Sequence, residues 1–288
     1  MRRSILVAAV LVAVSASVAQ AQGRAGGRPA CNLEHASGVF TERPTPGGKA
    51  RTYRLFVPPG YGQSPLPLVL DLHGSGGDAE GQARTSGLEV LAATEKFLVA
   101  TLQGEGGQWN VPIEAGRPPD VAYVTAVLAH VTARVCADLT RVYATGFSGG
   151  ARMTSLLGCA LGWRLAAIAP VAGLRMPAST CSSRPMPVLS FHGLADSTNP
   201  YEGHAAGRAA WVESVPEALA GWAAHNGCAG KVVLEDPPGP VSIMRYDGCK
   251  DGAEVRLIRI DGLGHRWTRE EVDTTAVMWD FFKTHQLR

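Results

Sequence analysis

Arg141-Val142-Tyr143-Ala144-Thr145-Gly146-Phe147-Ser148-Gly149-Gly150 is the stretch on which the fold turns. Its first half is β-branched and aromatic, as a buried strand is. The run stops at Gly146, and Ser148 stands between glycines at G-x-S-x-G spacing. Residues 151–161 then read as a helix, mostly apolar and free of proline. Strand, sharp turn carrying serine, helix is the order of a nucleophile elbow. Such a turn forces unusual backbone angles on the serine and demands small neighbours. The helix N-terminus also points unpaired N–H groups at whatever the serine attacks. The rival reading is a glycine-rich turn in some other α/β protein, since a chain with 34 glycines can match the motif by chance.

Working outward, strand and helix patterns alternate. Strands are expected over 52–57, 68–72, 97–102, 142–145, 166–171, 188–192 and 254–260. Helices are expected over 80–96, 120–136, 151–161, 216–226 and 268–285. In the second of these, Val121, Val124, Val127, Leu128 and Val131 form an apolar face at helical spacing. Alternation of this kind predicts an α/β fold, a mostly parallel sheet with helices on both faces. With the elbow included, the expectation is an α/β-hydrolase domain over 51–288 without a large lid, preceded by a tail and lead-in over 22–50. The connection from Asp196 to Pro216 is the one long enough to shape a pocket.

Ligands of open parallel sheets bind beyond the carboxyl ends of the strands. Four strand ends carry candidates: His73-Gly74-Ser75-Gly76-Gly77, Ser148, Gly193-Leu194-Ala195-Asp196 and Asp261-Gly262-Leu263-Gly264-His265. Ser, Asp, His is the chain order of α/β-hydrolases. Ser148 is the expected nucleophile, His265 the general base and then acid, and Asp196 the group that orients the imidazole. The oxyanion donors are expected at Gly149, the residue after the nucleophile, and at Ser75 in the glycine-rich turn. Asp196 could instead cap a turn, and Glu202 and Asp247 are rival acids. His73 reads as a brace of the oxyanion turn and His192 as a core histidine. Trp109, Tyr201 and Trp267 are candidates for the substrate wall, with plain core packing as the alternative for the two tryptophans.

The chain begins Met1-Arg2-Arg3, followed by an apolar run from Ile5 to Val14 and by Ala19-Gln20-Ala21. These are the parts of an export signal with cleavage after Ala21, by the general secretory route in preference to twin-arginine export, and the expected location is secreted or periplasmic. Removing it takes away two of 27 basic residues, so the remainder balances its 25 acidic ones. A formally neutral chain without a basic run argues against nucleic acid and against anionic membrane as partners. Six cysteines in an exported chain predict disulfides. None has C-x-x-C spacing, so no metal is expected. Cys228 and Cys249 flank a predicted hairpin and are paired on that ground. Cys136, before the elbow strand, and Cys159, three turns down the elbow helix, are the weaker expected pair, alongside the other pairings open to Cys31 and Cys181.

Taken together, His73–Gly77, Tyr143–Gly150, Ala169-Pro170-Val171-Ala172-Gly173, Phe191–Asp196 with Pro200-Tyr201, and Gly264–Trp267 resemble the secreted polyhydroxybutyrate depolymerase and feruloyl esterase family. The likeness runs from about Arg51 to Phe282. It implies cofactor-free hydrolysis of carboxylic esters and carries the triad onto Ser148, Asp196 and His265. No linker or binding module is visible after the catalytic segment, so a small-molecule or oligomeric ester is expected as substrate ahead of crystalline polymer. Aromatic acyl esters of the feruloyl type come first and hydroxybutyrate oligomers second. Acyl transfer from the same acyl-enzyme, and a non-catalytic binding protein on this fold, are the competing classes.

Overall fold

A computed structural model describes residues 33–44, 51–62, 64–177, 181, 183–204 and 213–288. The export signal expected over 1–21, the tail through residue 30 and Cys31 lie outside these residues. In chain order the elements are β1 (Gly38–Glu42), β2 (Tyr53–Val57), β3 (Leu66–Leu72), α1 (Ala79–Ser86), α2 (Leu88–Glu95), β4 (Leu98–Leu102), α3 (Asp120–Arg134) and β5 (Ala137–Phe147). Then follow α4 (Gly149–Ala160), β6 (Ala167–Val171), β7 (Val188–Gly193), α5 (Val215–His225), β8 (Val232–Glu235), β9 (Val241–Tyr246), β10 (Val255–Ile260) and α6 (Thr274–Lys283).

The strands form one sheet in the order β1-β2-β4-β3-β5-β6-β7-β10-β9-β8. From β4 to β10 every neighbouring pair is parallel, and the outer pairs on both sides are antiparallel. Side chains alternate across a pleated strand, so a strand covered on both faces is mostly apolar. In β3, Leu68, Leu70 and Leu72 enter the core on the face that carries α3, α4 and α5, while Val69 enters the core beneath α2 and α6. Val142 and Ala144 of β5 join the first core and Tyr143 the second, where its ring stacks on Phe282 at 4.6 Å. This is the α/β-hydrolase architecture expected from the alternating pattern, with no large lid among the described residues.

Three differences from the expected elements have local causes. The helix expected over 80–96 is two, because Gly87 takes a left-handed conformation (φ 61°) that ends α1 and starts α2. The closing helix starts late, at Thr274, where the Asp273 carboxylate caps the amides of Thr275 and Ala276. β1 lies within the lead-in and adds an antiparallel edge to β2.

The disulfides correct one pairing. Cys228–Cys249 forms across the β8–β9 hairpin as expected, but Cys159 pairs with Cys181 and not with Cys136. The last turn of α4 packs against the segment before β7, where Arg184 Nε donates to Gly162 O, so Cys159 faces Cys181. Cys136 is in a disulfide of its own, at the far end of β5, beside the Tyr61 hydroxyl that accepts from its amide. Among the described residues no helix is long and apolar enough to cross a membrane.

Candidate active site

Ser148 sits between β5 and α4 with φ 54° and ψ −113°, a conformation costly for a residue with a Cβ. The elbow is held by its surroundings. Ser148 N donates to Val171 O of β6 at 2.9 Å. Gly150 passes so close to the end of β3 that a Cβ there would lie 2.1 Å from Leu72 O. That contact explains why the motif ends in glycine.

The loops after β7 and β10 are tied together, with Leu194 N donating to Ile260 O (2.9 Å) and Ala195 N to Leu263 O (3.0 Å). This brings Asp196 to His265. A carboxylate only accepts, so His265 Nδ1–H donates to Asp196 Oδ2 at 2.7 Å, leaving Nε2 to accept from Ser148 Oγ at 2.9 Å. The other carboxylate oxygen, Oδ1, accepts from the amides of Thr198 (2.9 Å) and Asn199 (2.8 Å). Burial pushes the Asp196 carboxyl up, but the hydrogen bonds from His265 and the Asn199 amide outweigh it and hold the group below its ordinary range. Asp196 therefore caps its turn and orients His265 at once. The rival acids are elsewhere: Glu202 is exposed, and Asp247 pairs with Arg245.

His192, buried on β7, donates from Nε2 to Asn199 O at 2.8 Å and lies 3.6 Å from Asp196 Oδ2. Burial depresses its pKa, so it backs the carboxylate as a neutral ring. Asn199 also donates from Nδ2 to Ala172 O at 2.7 Å. The sequence reading passed over this asparagine; its Asp-x-x-Asn spacing from Asp196 is an Asx-turn signal that could have flagged it.

The glycine-rich turn after β3 lies against the elbow. A Cβ on Gly149 would be 3.0 Å from Ser75 N and 2.3 Å from Ser75 Oγ. The amides of Ser75 and Gly149 thus flank one space beside Ser148, and neither donates to another group among the described residues. His73 braces the turn. Its Nε2 accepts from Gly104 N (2.8 Å), which leaves the proton on Nδ1 to donate to Gly74 O (2.8 Å). Burial lowers its pKa and keeps that neutral tautomer.

The three candidate wall aromatics are placed differently from the expectation. Trp109 is 3% exposed and donates from Nε1 to His73 O at 2.8 Å. Trp267, 9% exposed, donates to Thr275 Oγ1 and packs beneath α6. Tyr201, 8% exposed, lies between His192 and Arg259. All three are buried; the two indole N–H groups are satisfied inside the protein, while the Tyr201 hydroxyl is buried without a hydrogen-bond partner among the described residues. The ring that meets the site is Phe147, half-buried at the elbow and 4.8 Å from the His265 ring. One cation borders the site, Arg152 in the first turn of α4, with Arg175 of the loop after β6 near it.

A parallel sheet with a serine elbow, and with the other candidates gathered beyond its carboxyl edge, defines a protein of the α/β-hydrolase class. Residues 51–190 match the family described as Esterase PHB depolymerase. It is similar to feruloyl esterase B of Piromyces equi, with 32% identity over 247 residues that cover 80% of this chain and 44% of that protein. The chain therefore spans less than half the length of that relative. With feruloyl esterase C of Emericella nidulans it shares 29% identity over 215 residues, covering 71% of this chain and 78% of the other. Among solved structures, acetyl xylan esterase from Aspergillus awamori superposes with a TM-score of 0.64 at 16% identity, over 86% of this chain and 99% of that one. At that identity the likeness speaks to the fold.

Proposed function

We propose that this protein is a serine esterase that hydrolyses carboxylic esters through an acyl-enzyme on Ser148. The observation that carries the reading is the hydrogen-bonded line Ser148 Oγ, His265 Nε2, His265 Nδ1, Asp196 Oδ2, at 2.9 and 2.7 Å, on a strained elbow. His265 takes the Oγ proton as Oγ attacks the carbonyl carbon. The carbonyl oxygen, now carrying the negative charge, accepts from the amides of Ser75 and Gly149. The C–O bond to the alcohol breaks as His265 returns the proton to the leaving oxygen. A water molecule then gives a proton to His265 as it attacks the acyl carbon, and the bond from that carbon to Oγ breaks as His265 returns the proton to Oγ, which releases the acid and restores Ser148.

The acyl group is proposed to be aromatic, of the feruloyl type. Support comes from the relatives named feruloyl esterases and from the Phe147 ring beside His265. Hydroxybutyrate oligomers are the second reading, favoured by the family description. Disulfides Cys159–Cys181 and Cys228–Cys249 fit an oxidising compartment outside the cytoplasm.

The test is turnover of methyl ferulate, hydroxybutyrate trimer and 4-nitrophenyl acetate, with and without an added acceptor alcohol. Hydrolysis that Ser148→Ala abolishes, together with loss of fluorophosphonate labelling, is the expected result. Folded protein that turns over none of these esters overturns the reading. A product esterified to the acceptor reassigns the protein to acyl transfer.

A further inference from the structure

Arg152 is an unpaired cation at the lip of this site. It lies four residues past the nucleophile, one turn into α4, and is half-buried. Its Nη2 stands 3.5 Å from the hydroxyl of Ser75, an exposed residue whose side chain lies directly over Gly149. Its Nε is buried and has no hydrogen-bond partner. No carboxylate lies within ion-pair distance of it. That statement holds for the whole chain, because every Asp and Glu falls among the described residues. A guanidinium partly withdrawn from water without a counter-ion is costly, and proteins generally pair such groups.

The surroundings add positive charge. Arg175 is close enough for its pKa, set first by burial, to feel Arg152 as a repelling charge, and it falls to about 10. Arg175 is paired with Glu213, its Nη1 lying 3.9 Å from the carboxylate and 2.6 Å from the backbone oxygen. The N-terminal end of α4 contributes the positive pole of its dipole at the same place. Arg152 thus stands beside the proposed oxyanion site at a helix N-terminus, with a second guanidinium near it whose own carboxylate is already engaged. Arg164 and Arg259 also have a buried Nε without a partner, but their guanidinium groups lie over Trp163 and Tyr201, away from Ser75.

We infer that the ester substrate carries a carboxylate, and that Arg152 is the specificity-determining residue that binds it beside the Ser75 turn. The inference rests on the esterase reading above and deepens it. A planar guanidinium matches a carboxylate edge to edge, and the substrate supplies the counter-ion that the chain lacks. The carboxylate can belong to the acyl part, as in a monoester of a dicarboxylic acid, or to the alcohol part, as in an ester of an acidic sugar.

Two matched pairs of esters separate these sources and read the charge. On the acyl side, the mono-4-nitrophenyl ester of glutarate is compared with 4-nitrophenyl glutaramate. On the alcohol side, 3-acetoxybenzoate is compared with 3-acetoxybenzamide. For each pair the ratio of kcat/KM, charged over neutral, is measured for the parent, Arg152→Gln and Arg152→Glu, with circular dichroism and fluorophosphonate labelling as checks on fold and on Ser148. In one pair the ratio is expected to fall about tenfold or more in Arg152→Gln, as for loss of a charged hydrogen bond. Arg152→Glu is expected to invert it and to favour 4-nitrophenyl 4-aminobutyrate. The parent ratio should also decline with added salt. Equal ratios for the parent and Arg152→Gln in both pairs overturn the inference. So does an equal loss on charged and neutral esters, which would mean that Arg152 acts only on the turn. Turnover without charge preference refutes this inference alone, whereas no turnover with Ser148 unlabelled refutes the esterase reading and this inference with it.

Discussion

Replacing Asp196 by asparagine changes one atom, and the structure dictates how the new side chain must sit. Oδ1 accepts from two backbone amides, Thr198 N at 2.9 Å and Asn199 N at 2.8 Å. An amide NH₂ cannot face two N–H donors, so the asparagine oxygen stays there and its NH₂ takes the place of Oδ2, 2.7 Å from His265 Nδ1. The imidazole must then accept at Nδ1 and carry its proton on Nε2, the nitrogen that faces Ser148 Oγ at 2.9 Å. A protonated Nε2 cannot take the serine proton. Reaching the useful tautomer sacrifices the new hydrogen bond and sets two donors against each other. The lost charge-assisted bond is worth about 1.5–3 kcal/mol and an unsatisfied buried donor about 1–3 kcal/mol more. The sum agrees with a fall in kcat of about 10⁴, or roughly 5 kcal/mol, the size expected when a triad acid is made neutral. The assay is kcat on 4-nitrophenyl acetate, with thermal unfolding as the control for fold. KM and the unfolding midpoint should move little, because every other contact of Asp196 survives. A folded Asp196→Asn variant whose kcat stays within about tenfold of the parent would refute the reasoning.

Four further outcomes follow from the same structure. Ser148→Gly removes the Cβ from a φ of 54° and should raise stability, since relief of about 1–3 kcal/mol of strain exceeds the roughly 0.5–1 kcal/mol that glycine loses in chain entropy; a lower melting temperature would show that the elbow is not strained. Trp109→Phe leaves His73 O without its indole donor, costing about 1–3 kcal/mol, and should lower kcat more than it raises KM because the Ser75 turn loosens. Removing the Cys159–Cys181 disulfide by a double alanine substitution, across a sequence separation of 22, should cost about 3 kcal/mol in urea titration. The pH dependence of stability has two opposing sources. Burial depresses His73, His192 and His285, so the unfolded chain takes up protons first and stability is lost as pH falls below about 6.5. Burial raises Asp71 to about 7, despite hydrogen bonds from Ser86 and Gln82, so its contribution is complete at acid pH and is lost as pH rises from about 4 to 7. Asp71→Asn removes that offset, and the variant's urea midpoint should fall more steeply between pH 7 and 5 than the parent's; identical slopes would contradict the assignment.

Much of this protein was legible from its residues one segment at a time. Strands buried on both faces are mostly apolar, so residues 68–72 of β3 and 142–145 of β5 announced themselves, and the glycines around Ser148 marked the elbow. The positions of Ser148, Asp196 and His265 just past strand ends followed from the same pattern, because a parallel sheet collects its loops on one edge. Local chemistry also sufficed for Cys228–Cys249, whose hairpin spans only neighbouring strands. Where two distant segments had to meet, the residues alone did not decide. The bond between Cys159 and Cys181 depends on how the last turn of α4 packs against the segment before β7, a contact with no periodicity of its own. Exposure of Trp109, Tyr201 and Trp267 was equally undetermined, since an aromatic ring near a cleft looks the same in sequence whether it faces the substrate or holds the wall. The arrangement of Arg152 over the Ser75 turn belongs to the same class. Residue identity determined its charge; only the tertiary packing, which left every carboxylate of the chain out of its reach, decided that the charge is unpaired.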